Sequence, residues 1–368
     1  PTATDAHISA SITTDNGVAG VAGINDVITV IWDDSAAGEN NSDTITAAET
    51  DISAFGGNAN QALYDDGTHG DATSGDNIWT YAYTVAAGSV DDVDLNATVT
   101  VTDNAGNVTG PVSDTSNIDV DSIAPTVTDA HISASITTDN GVGGVAGIND
   151  VITVIWDDSA AGENNSDTIT AAVTDISAFG GNANQALYDD GTNGDATSGD
   201  GIWTYAYTVV AGSIDDIDLN ATVTATDNAG NVTGPVSDAS NIDVDSIAPI
   251  VTNANIAASI TTDNGVAGVA GISDVITVVW DDSASGDNNS DTITGAVTNI
   301  SAFGGNANQM LYDDGTHGDA TSGDDIWTYA YTVTPGSVDG VDLNATVTAT
   351  DNAGNVTGPV SDASNISV

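Results

Sequence analysis

The chain of 368 residues contains no lysine, no arginine and no cysteine. Nucleic-acid binding requires a basic surface, so the absence of both basic residue types excludes that function. Without cysteine the chain forms no disulfide and offers no thiolate to a metal. No apolar run approaches the length of a membrane span, so we expect no membrane insertion.

The acidic residues are therefore uncompensated, and the 54 carboxylates give a formal net charge of -54. Only Glu39, Glu49 and Glu163 are glutamates, and the others are aspartates. The short side chain of aspartate is typical of turns and of oxygen-rich loops that surround a cation. Because so many like charges repel one another in a compact state, the composition predicts bound divalent cations or a high external salt concentration.

Three copies of one unit make up the chain. The segment that begins at Pro1 recurs from Pro125 and, more loosely, from Pro249, an offset of 124 residues. Each copy is large enough to form one domain with its own core. The chain starts and stops near repeat edges without an initiating methionine, so we expect it to be part of a longer array. The predicted domains are 1–124, 125–248 and 249–368.

Hydrophobic residues alternate with a period of two, which predicts strands rather than helices. Threonine, valine and isoleucine dominate these segments, and glycine, asparagine and aspartate separate them. About seven strands in a unit of this size are typical of an immunoglobulin-like β-sandwich. The predicted fold is all-β, with three such sandwiches end to end. In the first copy the expected strands are 6–12, 27–32, 46–55, 61–64, 78–85, 95–102 and 117–120.

Two motifs resemble a known family. The run Thr102-Asp103-Asn104-Ala105-Gly106-Asn107-Val108, followed by 118–125, resembles the end-of-domain signature of bacterial Ig-like repeats. Such repeats build the extender regions of giant cell-surface adhesins, including the RTX type. The Asp/Gly segment 64–76 is similar to a loop common in bacterial surface proteins. The resemblance implies an extracellular location, sandwich domains, and calcium at loops and joints, while the total lack of basic residues leaves a specialised filament open.

The strongest candidate metal site is the acidic loop within 64–76 and its two counterparts. Calcium binds about six to eight oxygen ligands, and glycines at 67, 70 and 75 let the backbone fold around an ion. The spacing is not that of an EF-hand, and an acidic hairpin loop without metal is the alternative. The candidate ligands are Asp65, Asp66, Asp71 and Asp76 in the first copy, Asp189, Asp190, Asp195 and Asp200 in the second, and Asp313, Asp314, Asp319 and Asp324 in the third.

Two further acidic groups are candidate calcium sites. Asp33 and Asp34 follow the strand 27–32, where the alternative is a solvated loop. The other group lies near the junction between copies, where the resemblance favours an ion shared between domains and an Asx-turn network is the alternative. Its candidate ligands are Asp103, Asn104, Asn107, Asp119 and Asp121.

Histidine exchange between copies argues against catalysis. His69 is replaced by Asn193 in the second copy, and His7 by Asn255 in the third. A catalytic base would not be exchanged in this way, and no cysteine is available as a nucleophile. We therefore expect that the protein is not an enzyme.

The expected function is structural. We expect stalk repeats of an extracellular, calcium-stabilised surface adhesin that project a distal adhesive domain. The main alternative is a subunit of an extracellular filament whose copies pack laterally through acidic, calcium-bridged faces. A carbohydrate-binding array, using the aromatic stripe of Trp79, Tyr81 and Tyr83, is less favoured than a core role for those rings. The expected partners are calcium, further copies of the chain, and a surface or glycan target reached through regions outside this chain.

Overall fold

The computed structural model describes residues 1–17, 19–141, 143–336 and 338–368. In these ranges the protein is all-β, and its helical structure is limited to six 3₁₀ turns of three residues each. None of the helices in the described ranges has the length and hydropathy that crossing a membrane requires. The 3₁₀ turns are Asp5–His7, Ser53–Phe55, Asp129–His131, Ser177–Phe179, Asn253–Asn255 and Ser301–Phe303.

The first two repeats have ten strands each at equivalent positions, and the described residues of the third repeat form seven of them. In the first repeat they are β1 (Ile8–Thr14), β2 (Val21–Ala22), β3 (Val27–Asp33), β4 (Ile45–Asp51), β5 (Gln61–Ala62), β6 (Ile78–Thr84), β7 (Asp91–Leu95), β8 (Thr98–Asp103), β9 (Val108–Ser113) and β10 (Ile118–Asp121). In the second they are Ile132–Thr138, Val145–Ala146, Val151–Asp157, Ile169–Asp175, Gln185–Ala186, Ile202–Thr208, Asp215–Leu219, Thr222–Asp227, Val236–Ser237 and Ile242–Asp245. In the third they are Ile256–Thr262, Val275–Asp281, Ile293–Asn299, Gln309–Leu311, Ile326–Thr332, Thr346–Asp351 and Val360–Ser361.

Two antiparallel sheets form the sandwich of the first repeat. One has the strand order β1-β3-β6, and the other has the order β5-β4-β8-β9. A smaller sheet has the order β2-β10-β7, in which β10 pairs parallel with β2 and antiparallel with β7. Since β10 runs directly into the second repeat, this smaller sheet places the loop before β3 beside the junction.

Each repeat has its own hydrophobic core between its sheets. In the first repeat Trp32 from β3 is completely buried, together with Val99 and Val101 from β8. The alternation in β8 buries the valines and leaves the intervening threonines half-buried, as period-two patterning predicts. A core of this kind follows from the fold class that the sequence indicates.

The structure differs from the expected strands in the bounds of several strands and in three additional ones. The expected strand 46–55 ends at Asp51, because the chain turns at Ser53–Phe55 and Gly56 adopts a left-handed φ of 87°. Strands β2, β7 and β9 were not expected. The burial pattern of β7 is exposed except at Leu95, so it carries no apolar alternation, and its strand conformation comes from pairing with β10.

Candidate metal centres and interdomain joints

The acidic loop of the first repeat brings together three of its four predicted ligands. Oxygen atoms of Asp65, Asp71 and Asp76 lie within 4.8 Å of one another. The equivalent groups of the other repeats, Asp189, Asp195 and Asp200, and Asp313, Asp319 and Asp324, have the same arrangement. The fourth predicted ligand, Asp66, is exposed and accepts hydrogen bonds from the backbone nitrogen and hydroxyl of Thr68. Asp66 and its counterparts Asp190 and Asp314 therefore lie outside the groups.

Backbone N–H groups of the acidic loop already donate hydrogen bonds to several of its carboxylate oxygens. One oxygen of Asp65 accepts from the nitrogens of Gly75 and Asp76, at 2.8 and 3.0 Å, and the other accepts from Asn77 at 3.1 Å. Asp71 accepts from Gly67 at 2.7 Å. These hydrogen bonds within the loop hold it closed. The three carboxylates lie close together in the closed loop.

The two aspartates at the end of β3 accept hydrogen bonds of the kind that stabilise turns. Asp34 is buried and accepts from the backbone and side-chain nitrogens of Asn41, at 2.9 and 2.8 Å. Asp33 accepts from the backbone nitrogen of Ser35 at 2.8 Å. In the described residues no group of three acidic or histidine side chains forms at this position.

The predicted junction group is divided between two places. Asp103 accepts from the backbone and side chain of Asn107, at 2.9 and 2.8 Å, and these bonds hold its pKa below the ordinary value. Asn104 is exposed, and Asp119 accepts from the backbone nitrogen of Asp94 at 2.9 Å. Asp121 is separate from all of them, because β10 carries it forward to the second repeat.

Asp121 and its counterpart Asp245 meet carboxylates of the following repeat. At the second junction, oxygens of Asp245, Asp291 and Asp351 lie within 4.8 Å of one another. Asp245 is 4% exposed and Asp351 is 1% exposed. Asp351 is the third repeat's equivalent of Asp103 and Asp245 is the second repeat's equivalent of Asp121, so two of the predicted ligand positions meet across the junction, together with Asp291. We call Asp245, Asp291 and Asp351 the joint triad.

Burial and mutual repulsion disfavour ionisation at the joints. Burial raises the pKa of Asp245 to about 6 from its ordinary value of 3.8, and the charges of Asp351 and Asp291 act in the same direction. At the first junction burial likewise raises the pKa of Asp121 to about 6, with Asp227 and Asp167 as neighbours. No lysine or arginine exists to balance these charges.

At both junctions a loop of one repeat packs against a loop of the preceding repeat and forms hydrogen bonds with it. The side-chain oxygen of Asn231 accepts from the backbone nitrogen of Ile24 at 2.6 Å, and its amide nitrogen donates to the carbonyls of Asp121 and Ile123 at 3.2 Å. Asn355 repeats this pattern with the backbone nitrogen of Ile148 at 2.5 Å. One asparagine thus binds two segments of its neighbour.

Glycine is required where the two loops meet. A Cβ at Gly17 would lie 2.1 Å from the carbonyl oxygen of Ala229, and one at Gly23 would lie 2.2 Å from the same atom. Gly141 and Gly147 stand in the same relation to Ala353, at 2.1 and 2.3 Å. Real Cβ atoms do not approach a backbone oxygen this closely, so each joint depends on the absence of a side chain.

The sequence did not identify these glycines, and it did not predict that the asparagine forms hydrogen bonds to the neighbouring repeat. Asn107 was predicted as a metal ligand, whereas its counterparts Asn231 and Asn355 act as hydrogen-bonding pegs that are 1% exposed. The signal available was the recurrence of Asp-Asn-Gly, at 15–17 and 139–141, in every copy. That signal also fits an ordinary turn, so only the packing of two repeats distinguishes the roles.

The comparisons with known proteins concern overall architecture. No protein-family model and no curated protein sequence matches the chain. Among solved structures, the FN1–FN3 domains of chicken CNTN1 are 11% identical, covering 98% of this chain and 97% of that one, with a TM-score of 0.26. Fibronectin(III)-like modules of Clostridium thermocellum CbhA are 13% identical over 64% and 94% of the two chains, with a TM-score of 0.24. Yersinia pseudotuberculosis InvD is 14% identical over 98% and 96%, with a TM-score of 0.21.

The strand order, the paired sheets and the three separate cores define the class of protein. The chain is a tandem array of immunoglobulin-like β-sandwich modules.

Proposed function

We propose that this chain is part of the extracellular stalk of a surface adhesin, in which calcium-stabilised sandwiches project a distal adhesive domain. The observation that carries the proposal is the joint, which is built from the same contacts at both junctions. A stalk holds a distal domain at a defined distance only if successive modules keep a fixed angle between them. The short connection from β10 to Pro125, together with the asparagine peg, restrains that angle.

Calcium is the ion we propose for the joints. The joint triad supplies three carboxylates, which are the oxygen ligands that calcium prefers. Asn352, which directly follows Asp351, has a buried side-chain oxygen with no hydrogen-bond partner among the described residues, and Asn228 has the same property at the first junction. A buried acidic group in a chain without basic side chains fits a cation taken from solution.

The acidic loops are proposed as weaker calcium sites. Their carboxylates are held by backbone N–H groups, and Asp65 and Asp76 are only partly buried. Calcium modules outside the cell bind with Kd values of about 10⁻⁴–10⁻³ M, so weak sites can be filled there. In this proposal the loops stiffen single modules, whereas the joints fix one module against the next.

Small-angle X-ray scattering of the full chain, in millimolar calcium and then in excess EDTA, tests the stalk. We expect a rod in calcium and a shorter, more variable particle in EDTA. A variant with Asp167→Asn and Asp291→Asn should lose the response to calcium, while the exposed Asp66→Asn and Asp314→Asn pair should keep it.

Three other outcomes are decisive. An equally bent and variable chain in both buffers would refute the stalk, and a rigid rod in both would refute the role of calcium. Thick lateral bundles that form only in calcium would favour the filament alternative instead.

A further inference from the structure

An asparagine–glycine bond lies in the loop that packs against the following repeat at each junction. At the first junction the bond joins Asn16 to Gly17, and at the second it joins Asn140 to Gly141. Asparagine followed by glycine is prone to deamidation, because glycine has no side chain to hinder the attack of its nitrogen on the neighbouring amide carbon. Both asparagines are exposed, so water reaches their side chains.

The loop of the following repeat covers the peptide group that would react. At the second junction, a Cβ at Gly354 would lie 3.1 Å from the nitrogen of Gly141 and 3.3 Å from the carbonyl oxygen of Asn140. The equivalent distances at the first junction, measured from Gly230, are 3.0 and 3.2 Å. Deamidation requires the glycine nitrogen to rotate towards the asparagine side chain, and backbone atoms packed this closely leave it no room. A closed joint therefore protects the bond.

Hydrogen bonds within the repeat also hold the reacting groups apart. The nitrogen of Gly141 donates to the side chain of Asp139 at 3.1 Å, and the side-chain nitrogen of Asn140 donates to Asp150 at 2.8 Å. The first repeat has the same two bonds, at 3.2 and 2.7 Å. Hydrogen bonds in exposed loops open locally at little cost in free energy. The covering loop is therefore the main restraint on the reaction.

We propose that Asn16 and Asn140 are deamidation sites controlled by the joints, and that their modification leaves the joint permanently open. The glycine nitrogen loses its proton and forms a bond to Cγ of the asparagine, while the side-chain amide leaves as ammonia. Water then opens the resulting cyclic imide, and the chain carries either an aspartate or an isoaspartate at that position. Water is the co-reactant of this reaction.

Both products disfavour the closed joint. An aspartate at position 140 would place a second carboxylate against Asp150, which is completely buried in a chain without basic side chains. An isoaspartate lengthens the backbone by one atom before Gly141, where a Cβ would lie 2.1 Å from the carbonyl oxygen of Ala353. The loop has no room for that extra atom beneath the following repeat. Deamidation thus makes a reversible opening permanent.

Peptide mass spectrometry of the full chain, aged in mildly alkaline buffer, measures deamidation at each asparagine separately. Electron-transfer fragmentation distinguishes aspartate from isoaspartate in the products. Asn193, which precedes Gly194 in the acidic loop of the second repeat, is the internal reference. It is exposed and its side chain donates to Thr192 of the same repeat, so its rate should not depend on the joints.

Two variants open one joint at a time. Asn355→Ala removes the hydrogen bonds between the second and third repeats, so deamidation of Asn140 should become several-fold faster. The rates at Asn16 and Asn193 should stay unchanged. Asn231→Ala should give the reverse pattern, in which Asn16 is accelerated and Asn140 is not. Thermal unfolding checks that both variants fold, and each variant is the control for the other.

Small-angle scattering of the aged chain tests the consequence for the joint. We expect a more variable particle than before ageing. The double variant Asn16→Gln and Asn140→Gln should keep its scattering, because glutamine would have to form a larger and less favourable ring. Equal rates at Asn140 in the wild type and in Asn355→Ala would overturn control by the joint. An aged chain that carries isoaspartate at both sites and scatters like fresh protein would overturn the permanent opening.

Discussion

Most aspartates of this chain act on the backbone next to them. Asp26 is completely buried, and its two oxygens accept from the backbone of Asn16 and Gly23, at 2.9 and 2.8 Å. Asp114 similarly accepts from Ala97 and Ser116. A short carboxylate can satisfy two N–H groups of an irregular loop at once, which explains why aspartate so outnumbers glutamate here.

The acidic residue that follows β3, or the equivalent strand of the other repeats, shows how one methylene group changes the hydrogen bonding of a buried tryptophan. Glu163 accepts from the backbone and hydroxyl of Thr128, and the indole nitrogen of Trp156 finds no hydrogen-bond partner in the described part of the chain. In the third repeat Asp287 takes this position, and it accepts from the indole nitrogen of Trp280 at 2.8 Å as well as from Thr252. The shorter side chain thus satisfies a buried donor that the longer one leaves unpaired.

We predict that Glu163→Asp stabilises the second repeat by about 1 kcal/mol, the typical net value of one hydrogen bond. The reason is that the new carboxylate would reach the indole nitrogen of Trp156. Guanidinium unfolding followed by tryptophan fluorescence measures the effect. The reverse change, Asp287→Glu, should destabilise the third repeat by a similar amount, and equal stability of all three proteins would contradict the prediction.

The joint carboxylates predict an unusual pH dependence in calcium-free buffer. Asp121 and Asp245 have pKa values of about 6 in the folded protein and the ordinary 3.8 when unfolded. The folded state therefore binds more protons between these values, so stability rises as pH falls from about 6 towards 4. Differential scanning calorimetry in EDTA at pH 7, 6 and 5 should show rising midpoints.

The double variant Asp121→Asn and Asp245→Asn provides the control for that pH series. Because asparagine does not titrate, its midpoint should change much less between pH 7 and pH 5. A wild-type midpoint that falls over this range would contradict the assignment. Carboxylates whose pKa is lowered by hydrogen bonds, such as Asp51 and Asp175, lose their contribution only at lower pH.

At the scale of elements, two short loops decide how modules meet. In the second repeat, Asp150 accepts from the backbone nitrogens of Asn140 and Gly147, and these bonds hold the two residues within their own repeat. The loop at 351–355 of the third repeat contacts this region through Ala353 and Asn355. Each half of the joint is thus ordered within its own repeat, which reduces the conformational entropy that docking costs.

We predict that Gly141→Ala disrupts the second joint while preserving both sandwiches. The new Cβ would lie 2.1 Å from the carbonyl oxygen of Ala353, and overpacking of this kind costs about 1–3 kcal/mol. Scattering should show a more variable particle, and circular dichroism should show unchanged strand content. Gly295→Ala is the control, since a Cβ there meets no heavy atom within 4 Å and the other repeats carry alanine at this position. A Gly141→Ala variant as straight as the wild type would show that the joint does not set the angle.

At the scale of the whole molecule, a net charge of -54 acts on an array held by local contacts. In repeat proteins each unit contacts only its neighbours, so stability is a sum of unit and interface contributions. Repulsion between modules works against every interface at once. A cation bound at an interface, as proposed for the joint triad, would oppose that repulsion between neighbouring modules.

We predict that calcium removal lowers the thermal midpoint of the full chain in low salt. An ion that binds only the folded state adds about 2.7 kcal/mol per site when its concentration is 100 times its Kd. Calorimetry in calcium and in excess EDTA measures the change, with magnesium as the comparison cation. A midpoint unaffected by EDTA in low salt would remove calcium from the account.

The amino-acid sequence by itself determined the all-β class and the repeat, because strand alternation and residue recurrence are local properties of the chain. Strands β3, β6 and β8 were each predicted to within a few residues, because β3 is a run of mostly apolar, β-branched residues and β6 and β8 have period-two patterns. Asp65, Asp71 and Asp76 lie close together because they belong to one short loop, and calcium binding by them stays a prediction.

Only the tertiary structure decided the joint. Asp245 and Asp351 are more than 100 residues apart, and local spacing carries no information on which repeat a carboxylate faces. Gly17 is a second example, because a side chain at this position would clash with the carbonyl oxygen of Ala229 in the next repeat. Strand β7 lacks an apolar pattern and exists through its partner β10. Contacts between distant segments depend on how whole domains pack, and that packing is not written in any single stretch of the chain.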